Sequence, residues 1–133
     1  MLILDTGLST LKPVEAAMRA ASDPSRLRHL KVFSGPRFVK TARQLQEQRY
    51  GSHADEIETS LMLAIAPGLV DMSRAVPCPF SPTEPSRGPL SPDDPSSPNY
   101  APSGSFGDPT LASAEKGRKV LAAIVEDLME MAA

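Results

Sequence analysis

Ten of the fourteen prolines fall between Pro77 and Pro109, and this most constrains the fold. Proline fixes φ and lacks the amide that helices and inner strands use, so residues 77–107 are expected to form an extended loop. About 100 residues then remain to build a core, and a domain of that size buries only about two-thirds of the surface its unfolded chain exposes. The chain reads as a single partial domain over residues 1–133, one that depends on a partner or on further sequence. Lys and Arg number 14 against 16 Asp and Glu, and they are scattered, which leaves no electrostatic footprint for nucleic acid. No apolar run is long enough to span a membrane, and Met1 to Leu4 meets polar residues at once, so neither a span nor a signal peptide is expected. Cys78 is the one cysteine and excludes an internal disulfide; the expected location is cytoplasmic.

Local patterns predict an α/β fold, a parallel sheet flanked by helices. Leu2 to Leu4 reads as a buried strand that runs into a loop at Asp5-Thr6-Gly7. Thr10 is placed to cap a helix with Pro13 in its first turn and Val14, Ala17, Met18 and Ala21 at helical spacing, ended by Asp23-Pro24. Leu30 to Phe33 then reads as a second strand, which makes the opening a βαβ unit with a right-handed crossover. Arg37 to Gln48 suits a short polar helix and Asp55 to Ala66 a better-defined one, stopped by Pro67-Gly68. Leu69 to Val76 reads as a connector or edge strand. Asp108-Pro109 is a helix start, followed by an apolar stripe of Val120, Leu121, Ile124, Leu128 and Met131, with Lys116 outside it.

The densest polar cluster is His53-Ala54-Asp55-Glu56-Ile57-Glu58, one of two histidines beside three carboxylates at a helix start. Glu58 falls on the face of Leu61, Met62 and Ile65 and is expected to be buried, where a carboxylate needs a cation, a metal or several hydrogen bonds. A structural role is equally open, with Asp55 capping the helix and Glu56 and Glu58 favouring its positive end. Tyr50, Tyr100, Phe80 and Phe106 suit aromatic anchors for the proline-rich loop.

The run from Gly51 to Ser60, followed by Pro67-Gly68-Leu69-Val70-Asp71, resembles the signature of the creatininase (creatinine amidohydrolase) family. Leu4 to Thr10 resembles that family's strand-to-loop segment. Ser103 to Thr110, with Glu115 and Gly117, resembles its C-terminal segment. The resemblance implies an α/β fold and metal-dependent hydrolysis of C–N amide bonds in linear or cyclic substrates, with Zn or Mn as the divalent metal and a homo-oligomeric assembly. It makes His53 the catalytic or substrate-facing histidine and Glu58 a metal-facing glutamate. Asp5, Ser9, Asp55 and Glu56 are further substrate-pocket candidates.

The departures matter as much. The family's N-terminal half carries a Glu-x-His motif and a later Asp as metal ligands, with no counterpart here, so the chain resembles a C-terminal half and reads as truncated at its N-terminus. Where many members have Asn-Gly-His after the strand, this chain has Asp5-Thr6-Gly7, and His29 lies outside any motif. Two divalent ions need roughly five or six protein ligands, whereas His53, Glu58 and Asp5 are all this sequence offers. A non-catalytic remnant, or a subunit completed by another chain, is therefore the alternative. A third reading, an aspartic protease through Asp5-Thr6-Gly7, requires a nearly all-β chain, which the helical patterns oppose.

Overall fold

The structure, a computed structural model, describes residues 1–7, 9–78 and 90–133. They form an α/β fold with a parallel two-stranded sheet and four α-helices. Two compact units make up the chain: Met1–Thr41 with Ala122–Ala133, and Ala42–Leu121. No helix among the described residues is long and apolar enough to cross a membrane.

In the first unit, strand β1 (Leu2–Asp5) pairs in parallel with strand β2 (Arg28–Lys31), with Leu2 opposite Arg28 and Asp5 opposite Lys31. Helix α1 (Leu11–Ala20) connects them. The second strand thus lies two residues earlier than the apolar run at Leu30 to Phe33 suggests. Val32–Ser34 forms a 3₁₀ turn instead, in which Val32 is buried and the Phe33 ring packs on Phe38 at 5.3 Å. The run is apolar because the turn is packed, not because it is pleated. Side chains alternate across a strand. Accordingly Lys31 meets Glu15 of α1 at 3.1 Å on one face, while Arg28 on the other donates to the carbonyls of Met131 (a short contact) and Ala132, the latter at 2.7 Å. These carbonyls end helix α4 (Ala114–Ala132), where a cation also suits the negative end of the helix.

Helix α2 (Pro36–Leu45) begins on an acidic cap lent by α4. The Asp127 carboxylate, 1% exposed, accepts from the amides of Arg37 at 3.2 Å and Phe38 at 2.8 Å, two of the donors that a helix start leaves unmatched. Burial opposes its charge, but these amides and the Arg37 guanidinium outweigh burial and hold the carboxyl below its ordinary value. Gly35 is required beside it, because a Cβ there would overlap the carboxylate.

The second unit is built around helix α3 (Glu56–Ile65), within one residue of the expected span. Asp55 caps it as anticipated, its Oδ1 accepting from the Ile57 and Glu58 amides at 3.0 Å each. The buried stripe, however, runs through Glu56, Ile57, Ser60 and Leu61, while Met62 and Ile65 are exposed. Two polar residues lie on the buried stripe because each finds partners. Ser60 donates to the Glu56 carbonyl at 2.6 Å and accepts from the Ser113 amide at 3.0 Å. Small size matters too, since Ser60 and Gly117 bring α3 and α4 into close backbone contact.

Leu69 to Val76 is no edge strand; Pro67–Leu69 and Met72–Arg74 are 3₁₀ turns, the second capped by Asp71. Asp108-Pro109 starts a turn of the same kind at Pro109–Leu111 rather than the last helix. Helix α4 begins at Ala114, where the Ser113 hydroxyl accepts from the Lys116 amide at 3.2 Å. Of residues 77–107, those described hold no helix or strand, only isolated bridges at His53–Phe106 and Ser91–Tyr100. The segment is not all surface, since Cys78, Ala101 and Ser105 are buried. Tyr50 anchors it, its ring 5.7 Å from that of Phe106 and its hydroxyl donating to the Cys78 carbonyl at 3.1 Å. Residues 79–89, with Phe80, lie outside the described residues.

Candidate functional site

Asp5 and Ser9 belong to the first unit, and His53, Asp55, Glu56 and Glu58 to the second. At the end of β1 the Asp5 carboxylate accepts from the Thr10 hydroxyl in a short contact, from the Gly7 amide at 3.0 Å and from His29 Nε2 at 2.8 Å. Thr10 therefore does not cap α1 with its side chain. Its hydroxyl turns back to Asp5 and to the Gly7 carbonyl, the latter at 2.8 Å, tying down the loop. His29, outside every motif, proves to be the partner of Asp5, a pairing set by the strand register and invisible to sequence spacing. Ser9 is exposed.

The Thr10 hydroxyl, then the Gly7 amide, hold the Asp5 carboxyl below its ordinary value of 3.8, with burial opposing and His29 adding to the effect. A carboxyl depressed on folding contributes stability above its unfolded value and loses it as pH falls through the folded one. Thr10→Val is therefore expected to lower stability at neutral pH and to make its loss below about pH 5 shallower, so that variant and wild type converge in acid, read as thermal midpoint against pH. An unchanged pH profile would mean that Thr10 does not set the charge of Asp5.

In the second unit the loop before α3 turns on Gln48, which is 7% exposed. Its Oε1 accepts from the amides of Glu56 at 3.3 Å and Asp108 at 2.9 Å, while its Nε2 donates to Asp55 Oδ2 at 2.6 Å. Glu56 is the buried carboxylate, at 0% exposure. It accepts from the Glu47 amide at 2.9 Å, the Gln48 amide at 2.8 Å and the Lys116 ammonium at 2.6 Å. Lys116, expected outside the packed stripe, reaches inward to form this pair. Burial lowers its pKa, but hydrogen bonds to Glu47 and Glu56 outweigh burial and raise it overall.

Glu58 is not buried as expected. Its side chain is 36% exposed and that of His53 63%, with Nδ1 of His53 3.9 Å from a Glu58 oxygen. The two face each other across Ala54, whose φ of +45° lies in the left-handed region that costs any residue with a Cβ. The same Glu58 oxygen accepts from the Ala54 amide at 2.6 Å, and the Ala54 carbonyl accepts from the Ser105 hydroxyl at 2.8 Å. The Phe106 amide donates to the His53 carbonyl at 2.8 Å, and the Phe106 carbonyl accepts from the Ser52 and His53 amides at 3.0 and 3.3 Å. Sequence reading missed Gln48, Lys116 and Ser105, which reach Asp108, Glu56 and Ala54 across 60, 60 and 51 positions of sequence with no local pattern to reveal them.

An exposed imidazole beside a carboxylate can carry a proton between solvent and a bound group. The donor set does not make a metal pair. Asp5, Asp55, Glu56 and Asp127 each spend their oxygens on fixed amides, hydroxyls or cationic side chains, and no group of three His, Cys, Asp or Glu able to hold a metal occurs among the described residues.

The family profile described as Creatininase, creatinine amidohydrolase, matches residues 9–132. A solved structure described as "Creatininase Mn" shares 26% identity at a TM-score of 0.70, over 97% of this chain and 53% of that one. A mutant creatininase of "Zn-Zn type" shares 25% at 0.65, over 97% and 53%. A putative creatinine amidohydrolase from Bacteroides fragilis shares 23% at 0.65 over 98% and 51%, an identity that speaks for the fold alone. No curated protein matches the sequence. The chain thus spans about half the length of these structures, in an α/β fold that is theirs rather than the all-β fold of an aspartic protease. With the profile matching from Ser9 to Ala132, the chain belongs to the creatininase family.

Proposed function

We propose that this chain supplies the proton-transferring side of an amidohydrolase site acting on the C–N bond of a small linear or cyclic amide. The observation that carries this reading is the approach of His53 Nδ1 to Glu58 at 3.9 Å, open to solvent, inside the family-matched segment. His53 would protonate the leaving nitrogen, and Glu58 would orient the imidazole. Asp55 and Glu56, proposed from the sequence as pocket residues, act here as the cap and anchor that fix the loop behind the pair.

Similar structures are named for Mn and Zn, and such ions lower the pKa of a bound water and polarise a carbonyl. The donors described on this chain do not fit that task, so the activated water must come from residues contributed by other sequence or by another chain. Saturation of the buried carboxylates favours a second reading, a non-catalytic partner subunit of the same fold.

A single series of experiments separates them. The 133-residue chain, purified and dialysed against Mn or Zn, is expected to retain far less than one ion per chain by elemental analysis and to show no turnover of creatinine. Fused behind the N-terminal half of the Mn creatininase, it is expected to turn over, and His53→Ala or Glu58→Gln in the fusion to reduce kcat by about 10²-fold or more. Two tight ions on the isolated chain would refute the donor argument. A fusion that binds metal and stays inactive would favour the non-catalytic subunit.

A further inference from the structure

The His53 turn is held from outside its own segment. Ala54 pays the steric cost of a left-handed φ of +45°, and such a conformation persists only where its surroundings over-determine it. Both peptide groups of Ala54 are fixed: the amide on Glu58 at 2.6 Å, and the carbonyl under the Ser105 hydroxyl at 2.8 Å. Ser105 is 4% exposed, so water does not readily replace its bond. The carbonyl bond sets the plane of the 54–55 peptide, the amide bond that of the 53–54 peptide, and the direction of the His53 side chain follows from the two. We propose that Ser105 is a positioning residue, whose hydroxyl locks the left-handed turn that directs the His53 imidazole at Glu58.

This inference rests on the reading of His53 and Glu58 as a working pair, and the test separates the two. Diethylpyrocarbonate acylates accessible imidazoles, and peptide mass analysis of the full chain reads its two histidines separately. His53 is exposed, whereas the His29 side chain is 8% exposed and serves as an internal control of folding. Glu58→Gln is expected to change the acylation rate of His53 by about threefold or more, Ser105→Ala to change it in the same direction, and the double variant to go no further. Ser105→Thr, which keeps the hydroxyl, is expected to restore the wild-type rate, with His29 unreactive throughout. Should Ser105→Ala fail to fold, Ser105→Cys keeps the volume with a weaker donor and is expected to shift the rate in the same direction. A rate that responds to Glu58→Gln but not to loss of the Ser105 hydroxyl overturns the positioning role and leaves the pair standing. A rate that responds to neither overturns the pair, and the positioning role with it.

Discussion

Gly117→Ala is expected to be among the most destabilising single-methyl changes in this chain. A Cβ at that position would overlap the Ser60 carbonyl oxygen, lie 2.5 Å from the carbonyl carbon and 2.9 Å from the Ala64 side chain. The oxygen belongs to the backbone of α3 and cannot swing aside as a side chain can. Alanine is favoured over glycine inside a helix by about 1 kcal/mol, so propensity alone argues for a gain. Overpacking of this kind costs about 3 kcal/mol, because two helix backbones must separate and the Ser113 and Glu56 contacts of Ser60 go with them. The net loss of roughly 2 kcal/mol corresponds to a fall of about 5–10 °C in thermal midpoint by circular dichroism. A midpoint at or above wild type would show that α3 and α4 do not meet backbone to backbone there.

Lys116→Met is expected to cost about as much or more. It removes the only side-chain cation bonded to Glu56 among the described residues, while the carboxylate stays at 0% exposure with amide partners alone. Breaking a buried pair by deleting one member costs about 3–5 kcal/mol, because the other charge stays buried. Adding Glu56→Gln is expected to recover part of the loss, since the amide needs no counter-ion. The wild-type pair also sets an alkaline limit. A lysine whose pKa rises on folding contributes stability below its ordinary 10.5 and loses it as pH climbs through the higher folded value. Urea denaturation of the wild type and these two variants at neutral pH checks the energies; an unaffected Lys116→Met would mean that Glu56 is carried by its amides alone.

What the sequence made legible was local. Asp55 followed by an apolar run marked the start of α3, and proline marked where regular structure ends, because caps and prolines act within a turn of themselves. What it concealed was tertiary. Spacing placed Glu58 inward and read Glu56 only as a charge at the helix's positive end or a pocket candidate, since the apolar Met62 and Ile65 outvoted a buried stripe whose polar members find their partners, Lys116 and Ser113, more than fifty positions away. The pairing of Asp5 with His29 escaped notice for the same reason, being set by strand register. The family-like segment from Gly51 to Ser60 located the candidate site, yet its supporting residues Gln48 and Ser105 came only from the fold.

The bridge between Phe106 and His53 also has a bearing on when the site comes into being. The cap of helix α3 lies within its own segment, but the strand-like partner of His53 is encoded about fifty codons later. At about 5–20 residues per second, translation leaves an interval of several seconds in which His53 has been made and is not yet held. The nascent chain therefore carries the histidine before its final setting, and the geometry opposite Glu58 is completed only once Phe106 has been made.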